Sequence, residues 1–168
     1  MAIAKKIALV GMPGSGKSVL GKRLASLLGY PFLDLDEVIE SQEGVKIKDI
    51  FRRQGEDQFR TVEHYALMST LEKHPKFVLA TGGGTPCFHD NMDIINGTCS
   101  SVFLDTPIEK IIRRLSQSQD RPLVQSTDPE GLSKEMEQLF QVRKPFYLMA
   151  HHTTSSPTPE AVMALLRK

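Results

Sequence analysis

The sequence predicts a three-layer α/β fold, one parallel sheet of five strands with helices on both faces. Two observations predict it. Short apolar runs alternate along the chain with stretches of helical periodicity, and two of the runs end in glycine-rich turns. At 168 residues the chain fits one such domain, 1–168, and leaves little room for a second.

Ile7 to Val10 is an apolar run ended by Gly11, as a buried strand should be. Two lysines precede it, as in a signal peptide. The run is too short for a signal core, and a glycine loop stands where a cleavage site would be. A helix follows from about Lys17, with Leu20, Leu24, Leu27 and Leu28 on one stripe and Gly29 at its end. Phe32 to Leu35 is the second strand. Glu37 to Gln42 and Ile47 to Gln54 read as short helices, and Phe59 to Leu71 as a longer one.

Phe77 to Ala80 is the third strand, ended by Gly82-Gly83-Gly84, and Val102 to Leu104 the fourth. Thr106-Pro107-Ile108-Glu109 has the form of a capping box with proline at the first helical position. Ile108, Ile111, Ile112 and Leu115 then share a face. Ser116 to Gly131 is polar, holds two prolines and reads as a mobile lid. A helix from Leu132 to Val142 follows. His151 to Thr154 is a weakly patterned fifth strand, required before a last helix from Pro159.

Lysine plus arginine number 21 against 20 aspartate plus glutamate, a near-balance that argues against a general nucleic-acid binder. No stretch approaches the length of a membrane span. Cys87 and Cys99 have no redox or zinc spacing and read as reduced thiols of a cytoplasmic protein. His151-His152 and the Cys87/His89 pair lack the further ligands a metal site needs.

Gly11-Met12-Pro13-Gly14-Ser15-Gly16-Lys17-Ser18 matches G-x-x-x-x-G-K-[ST] in full, between a strand and a helix. Successive N–H groups of such a loop point at phosphate oxygens, and the helix adds its positive end. Lys17 can reach the β- and γ-phosphates, and the Ser18 hydroxyl can ligate Mg²⁺. The metal also wants a carboxylate at a strand end. Asp34 offers one, and Asp36, two residues on, shares its face if the segment is extended. Asp105 sits directly before Thr106 and is assigned to a helix start. Arg60, Arg121 and Arg143 stand out among the arginines: phosphoryl transfer calls for extra positive charge, and the guanidinium fork grips carboxylates. Arg121 lies in the polar lid. The triple glycine offers bare backbone for close approach.

The segments GMPGSGKS, FLDLDEVIE, GEDQFRTVE, ATGGGT, DRPLV and RKPFY, in this order and spacing from about Ile7 to Ala150, resemble the shikimate kinase family. The resemblance implies the P-loop kinase fold, ATP and Mg²⁺, and shikimate as acceptor on the way to chorismate and the aromatic amino acids. The chain itself is read as a cytoplasmic monomer with no nucleic-acid or membrane partner. By position, Gly14, Ser15, Gly16, Lys17, Ser18, Val19 and Arg121 would meet the nucleotide, with Ser18 and Asp34 at the metal. Asp36 would take the ring hydroxyls, and Arg60 and Arg143 the carboxylate, beside Gly82, Gly83 and Gly84. Lys17, Asp36 and Arg121 would carry the chemistry. Val19 stands where the family usually has threonine, and 151–157 lacks a basic residue often placed near the adenine. Two other readings compete: another small-metabolite kinase, such as a gluconate kinase, and a nucleotide switch protein. The switch class uses an N-K-x-D segment for guanine, which does not occur here.

Overall fold

A computed structural model of the chain describes residues 2–117 and 128–167. Its five strands are β1 (Lys6–Val10), β2 (Phe32–Asp34), β3 (Phe77–Ala80), β4 (Ser100–Leu104) and β5 (His152–Thr154). All pair in parallel in the order β2-β3-β1-β4-β5. The helices are α1 (Lys17–Leu28), α2 (Leu35–Glu43), α3 (Ile47–Lys73), α4 (Asn91–Thr98), α5 (Ile108–Ser116), α6 (Pro129–Tyr147) and α7 (Pro159–Leu166), with a 3-10 turn at Thr85–Cys87.

Ile7 to Val10 of β1 are fully buried because both faces of the strand are covered. Ile7 and Leu9 pack with Leu20 and Leu24 of α1 and Val162 of α7. Ala8 and Val10 face the larger core, built from α2 to α6 with Leu67, Ile95, Ile111 and Met136. Removing one such leucine or isoleucine side chain from water contributes roughly 1.5–3 kcal/mol. The chain leaves β1 toward one edge of the sheet and leaves β3 across β1 toward the other. That change of direction opens a crevice at the carboxyl ends of the strands, where ligands of such sheets bind.

The two helices read from Ile47 and from Phe59 meet at Gly55, whose φ of 82° and ψ of 173° interrupt α3. Only glycine holds that backbone without strain. Three expectations need correction. First, β2 ends at Asp34 and Leu35 already opens α2. The shared face inferred for Asp34 and Asp36 from an extended backbone therefore does not exist. Second, Thr106 is not a cap: its Oγ1 donates to the Ser15 carbonyl at 2.8 Å, and α5 begins without a side-chain cap. The Asp105 backbone N–H extends the β4–β5 pairing toward Thr154. Third, α6 runs past Val142 and through Pro145 to Tyr147. Burial of Arg143 and Tyr147 holds that turn helical against the proline. α4 has little signature in the sequence, since NMDIINGT has few apolar residues and only Met92 and Ile95 among them are buried.

Candidate active site

The phosphate loop curls between β1 and α1, with Gly14 and Gly16 at φ 77° and 97°. Gly16 is the left-handed residue from which α1 starts, and no side chain caps that helix end. Its first N–H groups are therefore open to an anion. Lys17 Nζ donates to the carbonyls of Gly11 and Met12, each at 2.8 Å. Burial pushes the Lys17 ammonium down to about 8, against the pull of Asp36 and with the push of Arg143. Two residues whose role the sequence did not reveal brace the loop from the segment after β4: Thr106, and Arg114 of α5, whose Nη1 donates to the Gly14 carbonyl at 2.8 Å.

Asp34 caps α2, its Oδ1 accepting from the Asp36 and Glu37 amides. Its Oδ2 accepts from Ser18 Oγ at 2.7 Å. A hydroxyl and a carboxylate oxygen so close together fit Mg²⁺, which takes one or two protein oxygens and completes its shell with phosphates and water. Asp36 occupies the first turn of α2, beside the triple glycine. Burial first, then the Asp34 and Glu63 carboxylates, push it up to about 6.

The triple glycine is a clearance for side chains. A methyl group on Gly82 would stand 3.1 Å from both Asp36 Oδ1 and Glu63 Oε2. On Gly83 it would meet Pro13 at 2.6 Å and Arg143 Nη1 at 3.0 Å, and on Gly84 both terminal nitrogens of Arg60 at 2.6 Å. Arg60 and Arg143 are buried, 3% and 4% exposed. Arg60 stacks over Phe88 and is held by Glu56 and by Glu63, whose Oε1 accepts from Nη1 at 2.9 Å. Arg143 Nη1 is buried with no hydrogen-bond partner among the described residues. Tyr147 donates to the Gly83 carbonyl at 2.6 Å and fixes the turn.

One cleft of about 830 Å³ joins the phosphate loop, Val19, Asp34, Asp36, Arg60, Gly82 to Gly84 and Arg143. The exception among the expected site residues is Arg121. It lies with most of the expected lid outside the described residues; of that lid, Ser116 ends α5 and Pro129 to Gly131 open α6. The same cleft is lined by residues the sequence reading passed over: Glu63, Phe51, Phe59, Met136 and Leu139. Glu63 had a usable signal, a carboxylate one turn after Arg60 on a helix. The apolar four carried none beyond the pattern of an ordinary core. Among the described residues no group of three or more histidine, cysteine or acidic side chains could hold a metal ion by itself. No helix among them is long and apolar enough to cross a membrane.

Fold and site define a P-loop kinase with room for a small anionic acceptor beside its phosphate loop. The sequence profile of the family described as shikimate kinase matches residues 13–167. The shikimate kinase of Persephonella marina is 40% identical over 146 residues, 87% of this chain and 85% of that one. The crystal structure of the shikimate kinase from Bacteroides thetaiotaomicron superposes with a TM-score of 0.92 at 32% identity, covering 98% of this chain and 99% of that one. The enzyme from Acinetobacter baumannii, solved in complex with shikimate, gives 0.86 at 34%, covering 97% and 91%. A gluconokinase from Sinorhizobium meliloti, at 18% identity and a TM-score of 0.58, shares the fold alone. The chain belongs to the shikimate kinase family, enzymes that use ATP to phosphorylate a small acceptor.

Proposed function

We propose that the cleft transfers the γ-phosphoryl group of ATP to the 3-hydroxyl of shikimate, giving shikimate 3-phosphate and ADP. The observation that carries this reading is the convergence on one glycine turn of two buried guanidiniums and a carboxylate, beside a complete phosphate loop. A carboxylate-bearing polyol matches that chemistry. Arg143 and Arg60 grip the acceptor's carboxylate, assisted by the Gly83 amide, and Asp36 accepts from its hydroxyl. The loop amides and the α1 terminus hold the phosphates, and Lys17 neutralises charge gathering on the transferred group.

Ser18 and Asp34 would hold Mg²⁺, which when bound shields the phosphate charges. The acceptor oxygen bonds to the γ-phosphorus as the bond to the ADP oxygen breaks, and the hydroxyl proton passes to Asp36. At about 6, Asp36 is ionised at neutral pH and still able to take that proton. Catalysis is then mostly positioning and charge stabilisation.

ADP release with ATP and Mg²⁺, measured with shikimate, with gluconate and without acceptor, tests the reading. Turnover dependent on shikimate is expected; equal or faster turnover with gluconate overturns it.

A further inference from the structure

Arg60 is the inner end of a chain of buried hydrogen bonds that leads out of the cleft. Its Nη1 donates to Glu63 Oε1 at 2.9 Å, and Glu63 Oε2 accepts from Thr85 Oγ1 at 2.8 Å. The Thr85 carbonyl accepts from Asn91 Nδ2 at 2.9 Å, and Asn91 Oδ1 lies 2.6 Å from His64 Nδ1. With Asn91 Nδ2 turned to Thr85, the amide oxygen faces His64; an amide oxygen only accepts, so His64 donates from Nδ1. Thr85 and Asn91 are fully buried, Glu63 is 1% exposed, and His64 reaches the surface.

Four polar residues in a row, three of them sealed from water, are a costly way to pack a helix against a turn. Apolar residues of the same volume would fill that space without desolvating a carboxylate. Asn91 is the first residue of α4, yet its side chain bonds Thr85 and His64 rather than the helix end. Glu63 sits in the path: one oxygen holds Arg60 and the other is held by Thr85. With Thr85 silent, a buried carboxylate oxygen has no donor, and the carboxylate is free to turn and take the guanidinium with it.

We propose that Thr85, Asn91 and His64 are positioning residues for the acceptor, a relay of donors that fixes Glu63 and through it the guanidinium of Arg60. This rests on the reading that Arg60 meets the acceptor's carboxylate. The relay touches neither the phosphate loop nor the reacting atoms, so its loss falls on acceptor binding. Preorganising Arg60 spares the ordering of a long flexible side chain when the acceptor arrives.

The test compares steady-state constants of Thr85→Val, Thr85→Ser, His64→Leu and Arg60→Met with those of the wild-type enzyme. Thr85→Val keeps the shape and removes the donated proton. It is expected to raise the KM for shikimate about tenfold, the worth of one hydrogen bond to a buried charge. The KM for ATP should stay within about twofold of wild type, and kcat should fall less than the KM rises. Thr85→Ser restores the hydroxyl and should restore the KM. His64→Leu acts at the half-buried outer end, where folding is least at risk, and should give a smaller shift in the same direction. The proposal is overturned if folded Thr85→Val or His64→Leu leaves the shikimate KM unchanged. It is equally overturned if ATP and shikimate are affected alike, or if serine fails to rescue. Arg60→Met separates the two levels. If it too leaves the shikimate KM unchanged, the reading of Arg60 as an acceptor contact fails. If it raises the KM while the relay variants do not, only the relay fails.

Discussion

The two halves of the cleft are built in opposite ways. The phosphate half is one contiguous octet, Gly11 to Ser18, whose ligating groups are chiefly backbone N–H and whose shape is set by loop dihedrals. The half we propose for the acceptor comes from four separate stretches of chain: Asp36 in α2, Arg60 and Glu63 in α3, the Gly82 to Gly84 turn, and Arg143 in α6. Its groups are charged side chains forced together in a space that only glycine leaves open. Backbone donors cost little to bury when a ligand satisfies them, whereas buried charges must hold one another in place. The phosphate half should therefore break at single residues with loss of rate. The acceptor half should break by degrees, with loss of acceptor affinity.

Lys17→Ala has the largest expected effect in the phosphate half. We expect turnover to fall by about a thousandfold or more, since a charge aimed at the transferring group is removed. The fold should persist, because Lys17 bonds only loop carbonyls and a serine. Circular dichroism and ADP release check both halves of that statement; a folded variant with near-normal turnover breaks the comparison.

Asp36→Asn sits where the halves meet. It should still bind ATP and lose at least about a hundredfold in kcat. Its effect on stability should have the opposite sign. The Asp36 carboxyl is pushed up to about 6 in the folded protein from an ordinary 3.8. The native state then binds the proton more tightly than the unfolded chain, so stability falls as pH rises from about 4 through 6. In metal-free buffer at pH 7.5 the asparagine variant should be more stable than wild type by about 3 kcal/mol, and the gap should close below about pH 4. Thermal melts across that range test it; a gap that widens in acid refutes it.

Arg143→Met should raise the KM for shikimate by roughly ten- to a hundredfold while ATP binding changes little, the range for hydrogen bonds to a charged group. An equal rise in both KM values would mean that the arginine serves the nucleotide side instead. Asp105→Asn anchors the small end of the scale. Asp105 directly follows β4, lines a groove beside α6 and is not among the residues lining the main cleft. We expect a stability change within about 0.5 kcal/mol, and about twofold at most in rate. If Asp105 proved essential and Asp36 dispensable, the acceptor site would be misassigned.

Much of this was legible in the sequence, for reasons that particular residues make plain. The strand Ile7 to Val10 announces itself because a strand buried on both faces must be apolar throughout. The octet announces the phosphate site because its geometry is local: glycines, a lysine and a serine fix it wherever a strand and a helix flank them. The far end of α1 was written as Gly29, and the two stretches that Gly55 separates in α3 read as two helices.

What the tertiary structure alone decided is how distant segments share space. Asp36 lines the cleft from the first turn of a helix, not along an extended strand. Thr106 looks like a cap and instead braces the phosphate loop from 91 residues away. Arg143 stays helical across a proline because its neighbours bury it. The triple glycine marks where Asp36, Glu63, Arg60 and Arg143 crowd one turn. Local rules read such residues by their neighbours in the chain, while packing and buried charge respond to neighbours in space. Local pattern was thus enough for the five strands, most of the helices and the phosphate-loop octet. The acceptor half was decided by which side chains the folded chain buried against the same three glycines.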